Sequence, residues 1–185
     1  MSLTKYKIID LVFLSLACIL MDYIINKIPF FSIGNMIKLT SIPIILLMYI
    51  RWNYVAIIFN IIVSFSYFLT FKNIISNEEI LILSLSLLSL STCLITRFII
   101  FKKNKKIKDG ITPGLVFIIH YLIFILFESI FSYIFLKKFS FLGYLTSNAF
   151  SIIFGMIIFY IMYFQKNILV DVETQLLENN KEKIE

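Results

Sequence analysis

Few side chains in this chain could do chemistry, and the most conspicuous sit where chemistry is expensive. His120 and Glu128 both lie within Gly114–Leu136, GLVFIIHYLIFILFESIFSYIFL, a run long enough to cross a bilayer. A carboxylate in such a run costs about 3 kcal/mol unless it faces protein, water or a ligand. Glu128 therefore cannot face lipid as a charge. On a helix it is about 12 Å along the axis and roughly 80° around it from His120, so the two do not pair. Tyr121, one heptad before Glu128, shares its face better. Asn148, Ser84 and Ser86 reach a similar depth from other segments, while Asp22 and Lys38 mark the same end of theirs.

The chemistry open to this set is recognition by hydrogen bonds and charge, and two readings stand. Glu128 either bonds Asn148 or a hydroxyl and joins helices, or it helps bind a small polar solute. The expected solute-binding set is Glu128, Asn148, Tyr121, Ser84, Lys38 and Asp22. Catalysis is not expected, because the chain has no HExxH, GxSxG, glycine-rich phosphate loop or CxxC. His120 has no carboxylate or thiol three or four residues away, so it reads as a satisfied bundle histidine, with no metal and no cofactor expected. Cys18 and Cys93 lie in apolar runs and read as core fillers.

Composition explains why these residues must be held by helices in lipid. With 60% hydrophobic and 15% charged residues and a mean hydropathy of +0.95 over 185 residues, the chain is too apolar for a soluble domain. Only five glycines occur against twenty phenylalanines, so bulky packing is expected in place of close GxxxG contacts. The formal charge of +6 does not point to nucleic acid, since the basic residues gather at the ends of apolar segments.

Six spans are expected, from about Ile8 to Ile25, Lys38 to Arg51, Tyr54 to Phe71, Ile80 to Phe101, Gly114 to Leu136 and Tyr144 to Phe164. The first has the basic start of a signal peptide but a longer apolar run, Asp22 near its far end and no small-x-small cleavage site, so it reads as a retained helix. The second is short and contains Pro43, which predicts a tilted, kinked helix with Lys38 snorkelling to the interface. Trp52 and Tyr54 suit an interfacial belt. Hydroxyls at Ser84, Ser86, Ser89, Ser91 and Thr92 can bond back to preceding carbonyls. Pro29 and Gly34 punctuate an apolar loop from Lys27 to Ile37 that could lid the mouth of a site.

The loop between spans four and five carries Lys102, Lys103, Lys105, Lys106 and Lys108 and is expected to be cytoplasmic. Adding Lys5, Lys7, Arg51, Arg97 and Lys166 makes ten basic residues on that side. Lys27, Lys38, Lys72, Lys137 and Lys138 make five on the other. The expected protein is an all-α integral membrane protein, a bundle of six transmembrane helices with both termini cytoplasmic. Residues 1–166 form the membrane domain and 167–185 a polar cytoplasmic tail, in a bacterial plasma membrane.

The span plan, the basic loop and the stretch IGNMIKLTSIPIILLMYIRWNYVAIIFNIIVSF resemble the substrate-binding S components of energy-coupling factor (ECF) vitamin transporters. The nearest echo is Ile37 to Ile62, a Lys-Leu-x-x-Ile-Pro opening followed by two helices joined by a tight turn. That turn reads Arg51-Trp52-Asn53 where the family is often rich in glycine and proline. The first helix has Ser15, Ala17 and Cys18 where the family spaces alanines by four. The resemblance implies a solute pocket in the outer halves of spans four to six. It also implies uptake powered by cytoplasmic ATPases through a transmembrane coupling subunit. The alternative is a non-transporting membrane scaffold, similar to the rod-shape proteins that organise wall synthesis.

Overall fold

A computed structural model describes residues 3–28, 37–72, 75–96 and 111–165, together with 169 and 172. Among them every regular element is helical: α1 Leu3–Lys27, α2 Ile42–Trp52, α3 Val55–Phe71, α4 Asn77–Leu88, α5 Ile111–Leu136, α6 Phe141–Ser147 and α7 Ala149–Phe164. A 3-10 turn, Ser89–Thr92, carries α4 on, so that the helical run reaches Thr96. Residues 29–36 of the expected lid from Lys27 to Ile37, the five-lysine loop and most of the tail lie outside the described residues.

Three helical segments are long and apolar enough to cross a membrane: Thr4–Lys27, Asn77–Thr96 and Pro113–Leu136. A fourth crossing results if α6 and α7, bent by 58° at Asn148, count as one span. The other two expected spans are shorter. At 1.5 Å per residue, the 11 residues of α2 and the 17 of α3 reach only about 16 and 26 Å, against a hydrocarbon core of about 30 Å.

The helices alternate between two ends of the bundle. At one end Asp10 of α1 accepts from Arg51 Nε at 2.9 Å and from the Trp52 indole N–H. At the other, Asp22 of α1 meets the residues that precede α2. Trp52 is therefore fully buried and does not sit in an interfacial belt, whereas Tyr54 is exposed. The indole N–H needs an acceptor when buried, and Asp10 supplies it. Asn53 closes the turn with a φ of 52°, the left-handed region that Asn tolerates better than most residues.

α2 is the core element, with nine of its eleven residues buried. Pro43 falls in its first turn, where a missing N–H costs nothing, so it starts the helix and does not kink it. Lys38 precedes the helix in a non-helical stretch, 37–41. Backbone groups unpaired by a helix are tolerated at membrane depth only where protein satisfies them, and α1 does so. Asn26 accepts from Lys38 N at 2.8 Å and donates to Lys38 O at 3.0 Å. Asp22 accepts from Thr40 N at 2.7 Å. Asn60 of α3 donates to Tyr49 Oη at 2.8 Å and to Leu87 O at 3.1 Å, tying α2, α3 and α4 together.

α4 begins with a capping box: Ser76 Oγ accepts from Glu79 N at 3.2 Å, and Glu79 Oε2 accepts from Ser76 N at 3.3 Å. Its later hydroxyls bond backward, Ser86 to Ile82 O, Ser89 to Ser86 O and Thr92 to Ser89 O. The last two reach three residues back, the spacing of the tighter 3-10 turn they occupy. Gly155 of α7 allows the buried Phe117 ring to pack against it: a Cβ there would lie 2.8 Å from Phe117 Cζ and 3.3 Å from Pro43 Cγ. α1 is the peripheral helix. Ile9, Phe13, Leu16, Leu20 and Ile24 form an exposed apolar stripe along it, as a lipid-facing helix requires.

Candidate functional site

The polar residues converge where α1 ends, α2 and α4 begin, and the bent pair α6–α7 breaks. The break follows from Thr146, Ser147 and Asn148, whose side chains all bond backward onto their own turn. Thr146 Oγ1 donates to Leu142 O and Gly143 O, Ser147 Oγ to Tyr144 O, and Asn148 Nδ2 to Tyr144 O. Such bonds compete with the backbone ladder and favour a bend. They leave the carbonyl end of α6 and the amide end of α7 facing the bundle, with opposite partial charges.

Each end meets a charge of the matching sign. Lys38 Nζ donates to Ser147 O at 3.0 Å, at the carbonyl end of α6. Glu128 Oε2 accepts from Asn148 Nδ2 at 3.2 Å, beside the amide end of α7. Glu128 is only 7% exposed. Its Oε1 has no hydrogen-bond partner among the described residues. Tyr121 Oη stands 3.5 Å from both Asn148 Oδ1 and Leu39 O, contacts at the outer limit of hydrogen bonding.

Glu128 and Asn148 line a small cavity with Glu79, Tyr144, Ser147, Ile37, Ile75, Ile82 and Leu83. Its volume is about 50 Å³. A drug-sized ligand occupies a pocket of about 300–1,000 Å³, so in this conformation the cavity admits a functional group or a small ion and no more. Glu79 is exposed and stands as the third residue of α4.

Four of the six expected residues thus come together: Glu128, Asn148 and Tyr121 directly, and Lys38 through the Ser147 carbonyl. Asp22 does not join them. It is fully buried, and its carboxylate accepts from Thr40 N and Thr40 Oγ1 at 2.7 Å each, from Ser41 Oγ at 2.5 Å and from Tyr67 Oη. Ser84 lies elsewhere as well. With Ser64 it lines an apolar groove of about 310 Å³ between α3 and α4, and neither hydroxyl has a partner.

Sequence reasoning missed Glu79, Tyr144 and Ser147. Glu79 was readable, since Ser76-Asn77-Glu78-Glu79 is a capping box that fixes the glutamate in the first turn of α4. His120 is buried and satisfied, with Nδ1 at 2.6 Å from Val116 O and Nε2 at 3.1 Å from Thr96 Oγ1. That hydroxyl–imidazole contact joins α5 to the end of the α4 run and borders neither cavity. Cys18 and Cys93 are buried thiols outside any disulfide, and no cluster of three or more His, Cys, Asp or Glu forms among the described residues. Comparison with protein-family models, with curated proteins and with solved structures finds no match to this chain.

Proposed function

We propose that the chain is the substrate-binding membrane subunit of an importer of the ECF type. It captures a small solute from outside at the α6–α7 break and delivers it with a separate coupling subunit and cytoplasmic ATPases. The observation that carries this reading is Glu128, a buried carboxylate with one oxygen open to a cavity at a broken membrane helix. Broken helices are where transporters place solute and ion sites, because their free ends supply oriented dipoles. A carboxylate kept there against a cost of about 3 kcal/mol is a functional group by default. The count of ten basic residues against five supports an outward-facing Glu128 end. Six crossings follow if α2, lengthened by the stretch 37–41, and α3 are tilted or thin the bilayer locally. The exposed stripe of α1 is the surface offered to the coupling subunit.

The test is to purify the chain, identify co-purified small molecules by mass spectrometry, and titrate the one found against wild type and Glu128→Gln. Affinity is expected to fall by about 1–3 kcal/mol, the scale of a hydrogen bond to a charged group. Melting without solute should change little. Equal affinities would take Glu128 out of the solute site, and recovery of wall-synthesis proteins with no small molecule would remove this reading in favour of a scaffold.

A further inference from the structure

The walls of the Glu128 cavity specify the charge of what enters it. Ile37, Ile75, Ile82 and Leu83 give it apolar sides, and the ionisable side chains lining it are Glu128, Tyr144 and, at its exposed rim, Glu79. Of the neutral oxygens nearby, Ser147 O accepts from Lys38, and Asn148 Oδ1 stands 3.5 Å from the Tyr121 hydroxyl. Glu128 Oε1 takes no hydrogen bond from the described residues, on a residue only 7% exposed. Lys38 is the nearby cation and is not among the lining residues. The lining therefore offers carboxyl oxygens and no basic side chain.

We propose that this cavity holds one small monocation on Glu128 Oε1, either an alkali-metal ion or the ammonium group of the solute itself. The inference deepens the solute-binding reading and, for the ammonium case, rests on it. A divalent ion does not fit the chemistry. Magnesium gives up its water shell reluctantly, and a cavity of about 50 Å³ with four aliphatic walls leaves no room for that shell. An ammonium or an alkali ion carries half the charge and is stripped of water at far less cost, and about 50 Å³ accommodates either.

The test uses the full chain in lipid nanodiscs, held at constant ionic strength with N-methyl-glucamine chloride. Sodium, potassium, methylammonium and magnesium chlorides are titrated in turn while the melting temperature is followed. A saturable rise is expected with sodium, potassium or methylammonium, and none with magnesium. Its midpoint should weaken at least tenfold in Glu128→Gln and stay unchanged in Glu78→Gln, a neighbouring acid that does not line the cavity. If Glu128→Gln does not fold, Glu79→Gln, at the exposed rim, is expected to weaken the midpoint severalfold. An alkali-ion response identifies an ion site, and a response to methylammonium alone identifies the ammonium of the solute. No saturable rise, a response confined to magnesium, or midpoints indifferent to both Glu128→Gln and Glu79→Gln would overturn the proposal. A co-purified neutral or anionic solute bound equally by Glu128→Gln would overturn it too and leave solute binding standing. Cation binding by a chain that carries no solute would keep the ion site and remove the importer reading.

Discussion

Replacing Asp22 should unfasten α1 from the start of α2, and the structure sets the scale of the loss. The carboxylate accepts four bonds, from Thr40 N, Thr40 Oγ1, Ser41 Oγ and Tyr67 Oη. In a bilayer such bonds average only about 0.6 kcal/mol each, because the unfolded chain in lipid also finds partners, so four of them set a floor near ~2 kcal/mol. The ceiling comes from what Asp22→Ala leaves behind. The Ser41 and Tyr67 hydroxyls can turn to each other at 2.8 Å, and Tyr67 also reaches Cys18 O at 3.3 Å. Thr40 N has no second acceptor, and one orphaned buried donor costs about 1–3 kcal/mol. Asp22→Ala is therefore expected to lose about 2–5 kcal/mol, measured by reversible unfolding in mixed detergent micelles without solute. Asp22→Asn keeps an acceptor for Thr40 while turning a donor toward Ser41 and Tyr67, so it should lose less. Asp22→Ala within about 0.5 kcal/mol of wild type, the scatter of ordinary surface substitutions, would refute a structural role and return Asp22 to the solute.

Gly155→Ala should destabilise by about 1–2 kcal/mol, since overpacking against Phe117 and Pro43 outweighs the gain of up to about 1 kcal/mol in helix propensity. A melting point at or above wild type would show that the Phe117 ring yields freely. Asp10→Ala removes the carboxylate that takes bonds from Arg51 Nε and from the indole of Trp52, the only tryptophan. A change in Trp52 emission is expected, with a loss of about 1–3 kcal/mol, and an unchanged spectrum would count against the contact. With Cys18 and Cys93 replaced, a cysteine at position 105 should resist impermeant maleimide in intact cells and react after permeabilisation. Labelling from outside would overturn the orientation.

Much of this arrangement was legible because it follows from spacing along one helix. Tyr121 and Glu128 are seven residues apart and fall on one face, and Asn148 lies at the depth that lets it bond Glu128. The helices could be read from apolar runs alone. What sequence did not show depends on partners far apart in the chain. Asp22 is drawn from the site by Thr40, Ser41 and Tyr67, and Trp52 from the interface by Asp10. No pattern in either segment announces those pairings. The break at Asn148 carries no proline or glycine at the bend, and its cause, three successive side chains bonding backward, is legible only once their rotamers are seen. Ser84 was placed by depth alone, and depth does not say which face of α4 it occupies.

The dependence of residues 37–41 on Asn26 and Asp22 bears on how the protein is made. As it leaves the ribosome, the second apolar segment offers a helix of about 16 Å preceded by backbone whose amides and carbonyls are bare. Lipid cannot receive such a segment on its own. In the folded protein those groups are met by Asn26 and Asp22 of the first helix, so the second segment becomes compatible with an apolar surrounding only as one half of a hairpin with the first.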